Sequence, residues 1–227
     1  MSDPLDRPIW NALTSEQAGL AVARGAAVRI DPEYGPFAAA RDLGDEAQAA
    51  LLATLRGPDD RIGVVERAAW PAPAGTRVLG GGDLVQMVFA GSAPEGPDDP
   101  RIELLGERDA AEMAALAYAT EPGPWSSKTH RYGNYYGIRI GGRLAAMAGE
   151  RLRLPGLAEL SGVSTWPELR GQGLAAALVR RVVRGFLARG DRPFLHCYAA
   201  NVGAVALYEK LGFAVRAEMT FTILALA

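Results

Sequence analysis

The chain is almost without cysteine: Cys197 is the single one among 227 residues, which excludes an intrachain disulfide and makes a reducing, cytoplasmic setting the natural expectation. Histidine is nearly as scarce, with two, and no spacing of Cys and His suggests metal ligation, so no metal is expected. A basic excess is missing too. The 24 Lys and Arg against 26 Asp and Glu give a formal net charge of −2, without the positive field that a phosphodiester backbone requires, so nucleic acid is not an expected partner. No apolar run approaches the length of a membrane span. Met1 to Trp10 carries acids and prolines where a signal peptide would need a basic region and then an apolar one, so neither membrane nor export is expected.

What is present is 49% apolar residues, enough to bury one large core or two modest ones. Ser92 to Pro100, S-A-P-E-G-P-D-D-P, combines three prolines with a glycine and three acids and reads as a linker, dividing the chain into residues 1–98 and 99–227. Before it, Asp45 to Arg56 reads as a helix, Arg61 to Glu66 and Asp83 to Ala90 as strands, and Gly80-Gly81-Gly82 as a flexible turn. After it, Ile102 to Leu105 reads as a strand and Asp109 to Thr120 as a helix ended by Pro122 and Pro124. Tyr135 to Ile140 and Arg143 to Leu154 form a hairpin about Gly141-Gly142, and Glu159 to Thr165 continues as a strand. From Gly173 to Arg189 two apolar rows at four-residue spacing predict an amphipathic helix, with Gly190 as its cap. Phe194 to Ala199 is a strand, Asn201 caps a helix to Leu211, and Ala214 to Leu226 closes with β structure.

The densest chemical signal is Val163 to Ala176, V-S-T-W-P-E-L-R-G-Q-G-L-A-A. A strand there runs through a proline turn into a glycine loop that opens a helix. Gly171 and Gly173 have no Cβ, so backbone N–H groups can close on an anion at the positive end of that helix, and a phosphate-bearing cofactor is predicted. The hexamer Gly171 to Ala176 formally fits the dinucleotide pattern G-x-G-x-x-A, with Asp191 near the position of a ribose-binding acid. In a dinucleotide unit, however, the glycines follow the strand directly, whereas W-P-E-L-R intervenes here. A nucleotide P-loop fails because no Lys-Ser or Lys-Thr pair follows the glycines.

Arg170 to Ala175, R-G-Q-G-L-A, and Asn201 to Phe213, N-V-G-A-V-A-L-Y-E-K-L-G-F, resemble in order and spacing the two hallmarks of the GNAT N-acetyltransferase superfamily. The stretches G-I-R-I-G-G-R-L-A-A-M-A-G-E-R-L and P-F-L-H-C-Y resemble its branch of glycine N-acyltransferase C-terminal domains, and the first part of the chain is similar to the degenerate half of some two-part members. The resemblance implies an α+β fold, a mixed and mostly antiparallel sheet flanked by helices, beside a smaller α/β N-terminal domain. It implies acetyl-CoA as co-substrate and direct transfer of an acetyl group to a primary amine on a small molecule or peptide. A homodimer is compatible with it, and a non-catalytic acyl-CoA-binding or sensing module is the alternative.

The resemblance also implies roles by position. Val163, Ser164 and Thr165 would offer backbone groups to the pantetheine arm; Gly171, Gln172, Gly173, Leu174, Ala175 and Ala176 would hold the diphosphate. Arg170 is either a phosphate partner or a solvated loop cation, and Asn201 a helix cap that also touches the cofactor. Tyr208 would protonate the departing thiolate, a buried aromatic being the plainer reading. Glu159 and His196 are the candidate general bases, each also readable as a hydrogen-bonded structural residue. Trp125, Lys128 and His130 stand in a loop that touches the acceptor or is merely a polar surface. Cys197 reads as a small core residue.

Overall fold

Strand-forming runs separated by glycine turns assemble into two sheets. The computed structural model describes residues 3–227. In chain order it contains helix α1 (Pro8–Leu13), strands β1 (Ala21–Arg24), β2 (Ala27–Ile30) and β3 (Ala38–Ala40), helix α2 (Asp45–Leu52) and strands β4 (Arg61–Glu66), β5 (Thr76–Phe89) and β6 (Ile102–Leu105). Helix α3 (Ala110–Thr120) precedes strands β7 (Tyr135–Ile140), β8 (Arg143–Leu154) and β9 (Leu157–Thr165). Helix α4 (Leu174–Ala188), strand β10 (Arg192–Tyr198), helix α5 (Val202–Lys210) and strand β11 (Phe213–Leu226) complete the chain. The small sheet runs β1-β2-β3, and the large one β4-β11-β5-β10-β9-β8-β7-β6.

Every neighbouring pair in the large sheet is antiparallel except β9 and β10. A parallel pair needs a crossover, and α4 supplies it. Its rows behave as the periodicity predicts: Leu174, Leu178, Val179, Val182, Val183 and Phe186 are buried against the sheet with Leu160 and Leu195. At about 1.5–3 kcal/mol for each large apolar side chain removed from water, that face holds the crossover in place. Gly141 and Gly142, at φ +59° and +82°, make the tight β7–β8 turn. The mixed, mostly antiparallel α+β architecture is the expected one.

Two expectations change. The sheet runs across the division at residue 98, because β5, from the first part, lies between β10 and β11. The core beneath it is shared as well, with Leu5, Ile9 and Phe37 packing among Leu152, Phe194 and Phe221. Residues 1–98 are therefore not closed on themselves as a separate α/β domain; their own sheet, β1-β2-β3, is small and antiparallel. The Gly80-Gly81-Gly82 run is not a turn but the middle of the 14-residue strand β5. At its centre glycine is required, because β11 passes so close that a Cβ on Gly81 would lie 1.8 Å from the Phe221 carbonyl oxygen.

Candidate active site

β9 and β10 pair only at Leu157, Ala158 and Glu159, opposite Arg192, Pro193 and Phe194, and then part. The divergence has a local cause. Between Ser161 and Ser164 the register of β9 on β8 slips, at Gly162 with φ +62°, a bulge that bends the strand. A Cβ on Gly162 would come within 2.8 Å of the Tyr135 ring, so the bend requires glycine. Between the parted strands lies a cleft of about 550 Å³, walled by Val163, Ser164 and Thr165 on one side and His196, Cys197 and Tyr198 on the other. Past Glu159, β9 thus has one edge without a strand partner.

The glycine loop lines one end. Gly171 (φ +79°) and Gly173 (φ +76°) take the left-handed conformation, and a Cβ on either would meet nothing within 4 Å, so backbone conformation, not crowding, selects glycine. Gly173 is the N-cap of α4 and has no side chain to cap with, and the first helical bond runs from the Ala177 N–H to the Gly173 carbonyl. The six N–H groups from Gly171 to Ala176 consequently donate to no acceptor among the described residues. Consecutive free amides at a helix N-terminus form an anion cradle. Leu174 anchors it from below, while the Gln172 side chain is exposed and stands outside the cleft lining. Arg170 is exposed, and its Nε–H reaches the Thr165 carbonyl at 3.4 Å.

Asn201 caps α5 as predicted, its Oδ1 accepting from the Ala204 N–H at 3.2 Å, and it lines the cleft. Two helical turns on, Tyr208 is 9% exposed and packs edge-on against Phe213, with ring centroids 6.0 Å apart. Its hydroxyl makes no hydrogen bond among the described residues, and burial pushes its pKa up, so the phenol keeps its proton beside the cleft. Cys197 is a core residue that also borders the cleft, and burial raises its thiol pKa.

Glu159 and His196 are brought together, but neither offers a free lone pair. Glu159 is fully buried and outside the cleft lining; its carboxylate takes Arg151 Nε–H and Nη2–H at 2.8 and 2.6 Å. Burial alone would raise its pKa, yet the Arg151 charge and hydrogen bonds, with His196 adding to them, hold it down at about 2. His196 Nδ1 stands 2.7 Å from Glu159 Oε1 and its Nε2 3.0 Å from Gln86 Nε2. The Gln86 amide is oriented by Arg216, which donates to Oε1 at 2.7 Å, and by the Leu5 carbonyl, which accepts from Nε2 at 2.8 Å. With an NH2 group facing it, His196 Nε2 accepts, and Nδ1–H donates to Glu159. A general-base role for either residue gives way to a buried chain, Arg151–Glu159–His196–Gln86–Arg216, closed at the surface by Asp3 and Asp6.

The acceptor-loop expectation changes in detail. Trp125 packs on Tyr135 at 5.5 Å, Lys128 pairs with Glu33 at 2.5 Å and His130 with Glu107 at 3.2 Å; none lines the cleft, whereas Pro122, Gly123 and Pro124 do. Asp191 is held by Arg189 at 2.6 Å and stands outside the cleft, which removes the acid of the dinucleotide reading. Sequence reasoning missed Arg151, Gln86 and Arg216, and the cleft residues Ile9, Phe37 and Val65. The available signal was faint, because Arg151 shares strand β8 with the charged residues Arg143, Glu150 and Arg153.

The strand pair of the crossover thus splays beside a glycine loop, with Tyr208 lining the cleft between. The FR47-like protein family matches residues 135–222. A solved structure assigned to the GNAT acetyltransferases, from Novosphingobium aromaticivorans DSM 12444, is 55% identical over the whole of both chains, with a TM-score of 0.94. The chain belongs to the GNAT family. A GCN5-related N-acetyltransferase from Kribbella flavida shares the fold at 22% identity, covering 96% of this chain and 95% of that one with a TM-score of 0.61. The [ribosomal protein bS18]-alanine N-acetyltransferase of Escherichia coli K12 is 35% identical over 97 residues, 40% of this chain. The match spans 64% of that enzyme's length.

Proposed function

We propose that the chain is an acetyl-CoA-dependent N-acetyltransferase that moves the acetyl group directly to a primary amine, on a small molecule or a peptide, within a ternary complex. The observation that carries this reading is the row of free amides from Gly171 to Ala176 opening onto the cleft beside Tyr208. Those amides hold the diphosphate, with Arg170 and Asn201 beside it. The unpartnered edge of β9 from Val163 to Thr165 takes the pantetheine arm as an added strand would. The thioester then lies at the fork of β9 and β10.

The amine nitrogen attacks the carbonyl carbon, and a backbone N–H near Val163 receives the oxyanion. As the C–S bond breaks, the Tyr208 hydroxyl donates to the sulfur. The nitrogen sheds one proton, the sulfur gains one from Tyr208, and Tyr208 takes one back from solvent, so the protons balance. Because Glu159 and His196 are both engaged, the nitrogen's proton leaves to solvent in the open cleft rather than to a side chain, the buried chain serving to hold the fork.

Acetyl-CoA titrated calorimetrically should bind saturably, and the absence of saturation up to about 1 mM contradicts the reading. The engaged state of Glu159 and His196 favours, as a second reading, a module that binds acyl-CoA without turnover. Release of thiol from acetyl-CoA in the presence of amines separates the two.

A further inference from the structure

The cleft does not stop at the sheet. Tyr208 and Leu174 line it on the α4 face, whereas Ile9, Phe37, Leu84 and Phe221 line it on the opposite face, where the first part of the chain packs. That far half is apolar. Along the whole cleft the charged side chains are Glu121, Arg151 and Arg170. Glu121 is exposed at the end of α3, and Arg170 belongs to the glycine loop, which leaves Arg151 as the charged group of the far half.

Arg151 is held on three sides. Its Nε and Nη2 serve Glu159, the Phe37 ring lies under the guanidinium with 4.9 Å from Cζ to the ring centroid, and Gly123 backs Nη1, a Cβ there lying 3.6 Å from it. Nη1 itself donates to no acceptor among the described residues, although Arg151 lines the cleft. A rigid, planar donor with an unused N–H beside an apolar chamber is a recognition element.

Resting on the acetyl-transfer reading, we propose that this half of the cleft takes the acceptor as a monoamine with an apolar or aromatic body and an uncharged carbonyl group, and that Nη1 of Arg151 donates to that carbonyl. A polyamine does not suit the chamber, because no carboxylate among the described residues lines this half, Glu159 behind Arg151 is already paired, and a second ammonium would be buried without a partner. A carboxylate does not suit it either. Glu159 already cancels the Arg151 charge, so a second carboxylate would bury an uncompensated negative charge next to the first. A carbonyl oxygen takes the same N–H without that cost.

The test measures kcat/KM by thiol release from acetyl-CoA for phenylalaninamide, phenethylamine, phenylalanine and spermidine, each expressed per unprotonated amine, with calorimetric binding of acetyl-CoA in parallel. Phenylalaninamide should exceed phenethylamine, which lacks the carbonyl, by about tenfold, the worth of one hydrogen bond to a charged donor, and should exceed the other two. Arg151→Lys keeps a cation for Glu159 but removes Nη1. It should lower the ratio of kcat/KM for phenylalaninamide to that for phenethylamine by about tenfold, a comparison in which the basicities of the amines and any general loosening of the fork cancel.

An unchanged ratio overturns the proposal, as does preference for spermidine or phenylalanine, or acetyl-CoA binding with none of the four amines acetylated. If Arg151→Lys fails to fold, the wild-type ratio of phenylalaninamide to phenethylamine decides alone. Failure to bind acetyl-CoA overturns the acetyl-transfer reading itself.

Discussion

The two ends of the cleft are built on opposite plans. At the glycine-loop end, recognition belongs to main chain: six amides from one continuous segment, without acceptors among the described residues. At the far end it belongs to side chains gathered from remote segments, where Arg151, Glu159, His196, Gln86 and Arg216 satisfy one another almost completely in the interior. The first end is prepared to receive charge from a ligand. The second has already consumed its own charges, which stiffens the fork of β9 and β10 and leaves a single donor over for a substrate.

Five substitutions break or sharpen that contrast. The largest effect is expected on the side-chain end: Glu159→Ala leaves the Arg151 guanidinium buried without a counter-ion and should cost about 3–5 kcal/mol of stability, read from urea unfolding. A loss below about 1 kcal/mol would mean that the chain is solvated rather than buried. The same residue makes stability depend on pH. Its folded pKa, at about 2, lies below the ordinary 4.5, so its contribution is complete above the ordinary value and is lost as pH falls through about 2. Between neutral pH and about pH 3, wild type should therefore lose more stability than Glu159→Gln, and parallel losses would contradict the assignment.

Next comes the fork itself. Tyr208→Phe should lower turnover about a hundredfold with acetyl-CoA affinity unchanged, and intact turnover would remove the proton-donor role. On the main-chain end, Gly173→Ala strains a residue held at φ +76° while its Cβ meets nothing within 4 Å, and should weaken acetyl-CoA binding by about tenfold. Smallest is Asn201→Ala, which deletes a helix cap and should cost about 1 kcal/mol. An unchanged unfolding midpoint would show that solvent replaces the cap.

The same contrast explains what was legible in the sequence. A main-chain site advertises itself through glycine, because φ of +79° and +76° at two positions two residues apart and a helix without a capping side chain leave a local signature. The amphipathic rows of α4, the Gly141-Gly142 turn and the Asn201 cap were legible for the same reason: each is decided within a few residues. Glu159 and His196 were recognisable as candidates, but their partners were not. Gln86 lies 110 residues from His196, and Arg216 another 20 beyond that. Nothing local reveals that such groups meet. Gly80 to Gly82 misled because glycine ordinarily disfavours strands, while here the close passage of β11 excludes a side chain at Gly81. The short strands β1 and β3, mostly alanine, show no alternation to read, so the shared core of the first part surfaced only with the strand order.

The most direct measurement is the backbone amide NMR spectrum of the protein titrated with coenzyme A. The account predicts that the N–H resonances from Gly171 to Ala176 move together and saturate with the ligand, the Gly171 and Gly173 amides shifting downfield as they meet the diphosphate. Saturable binding that leaves those six resonances in place while others move would contradict it.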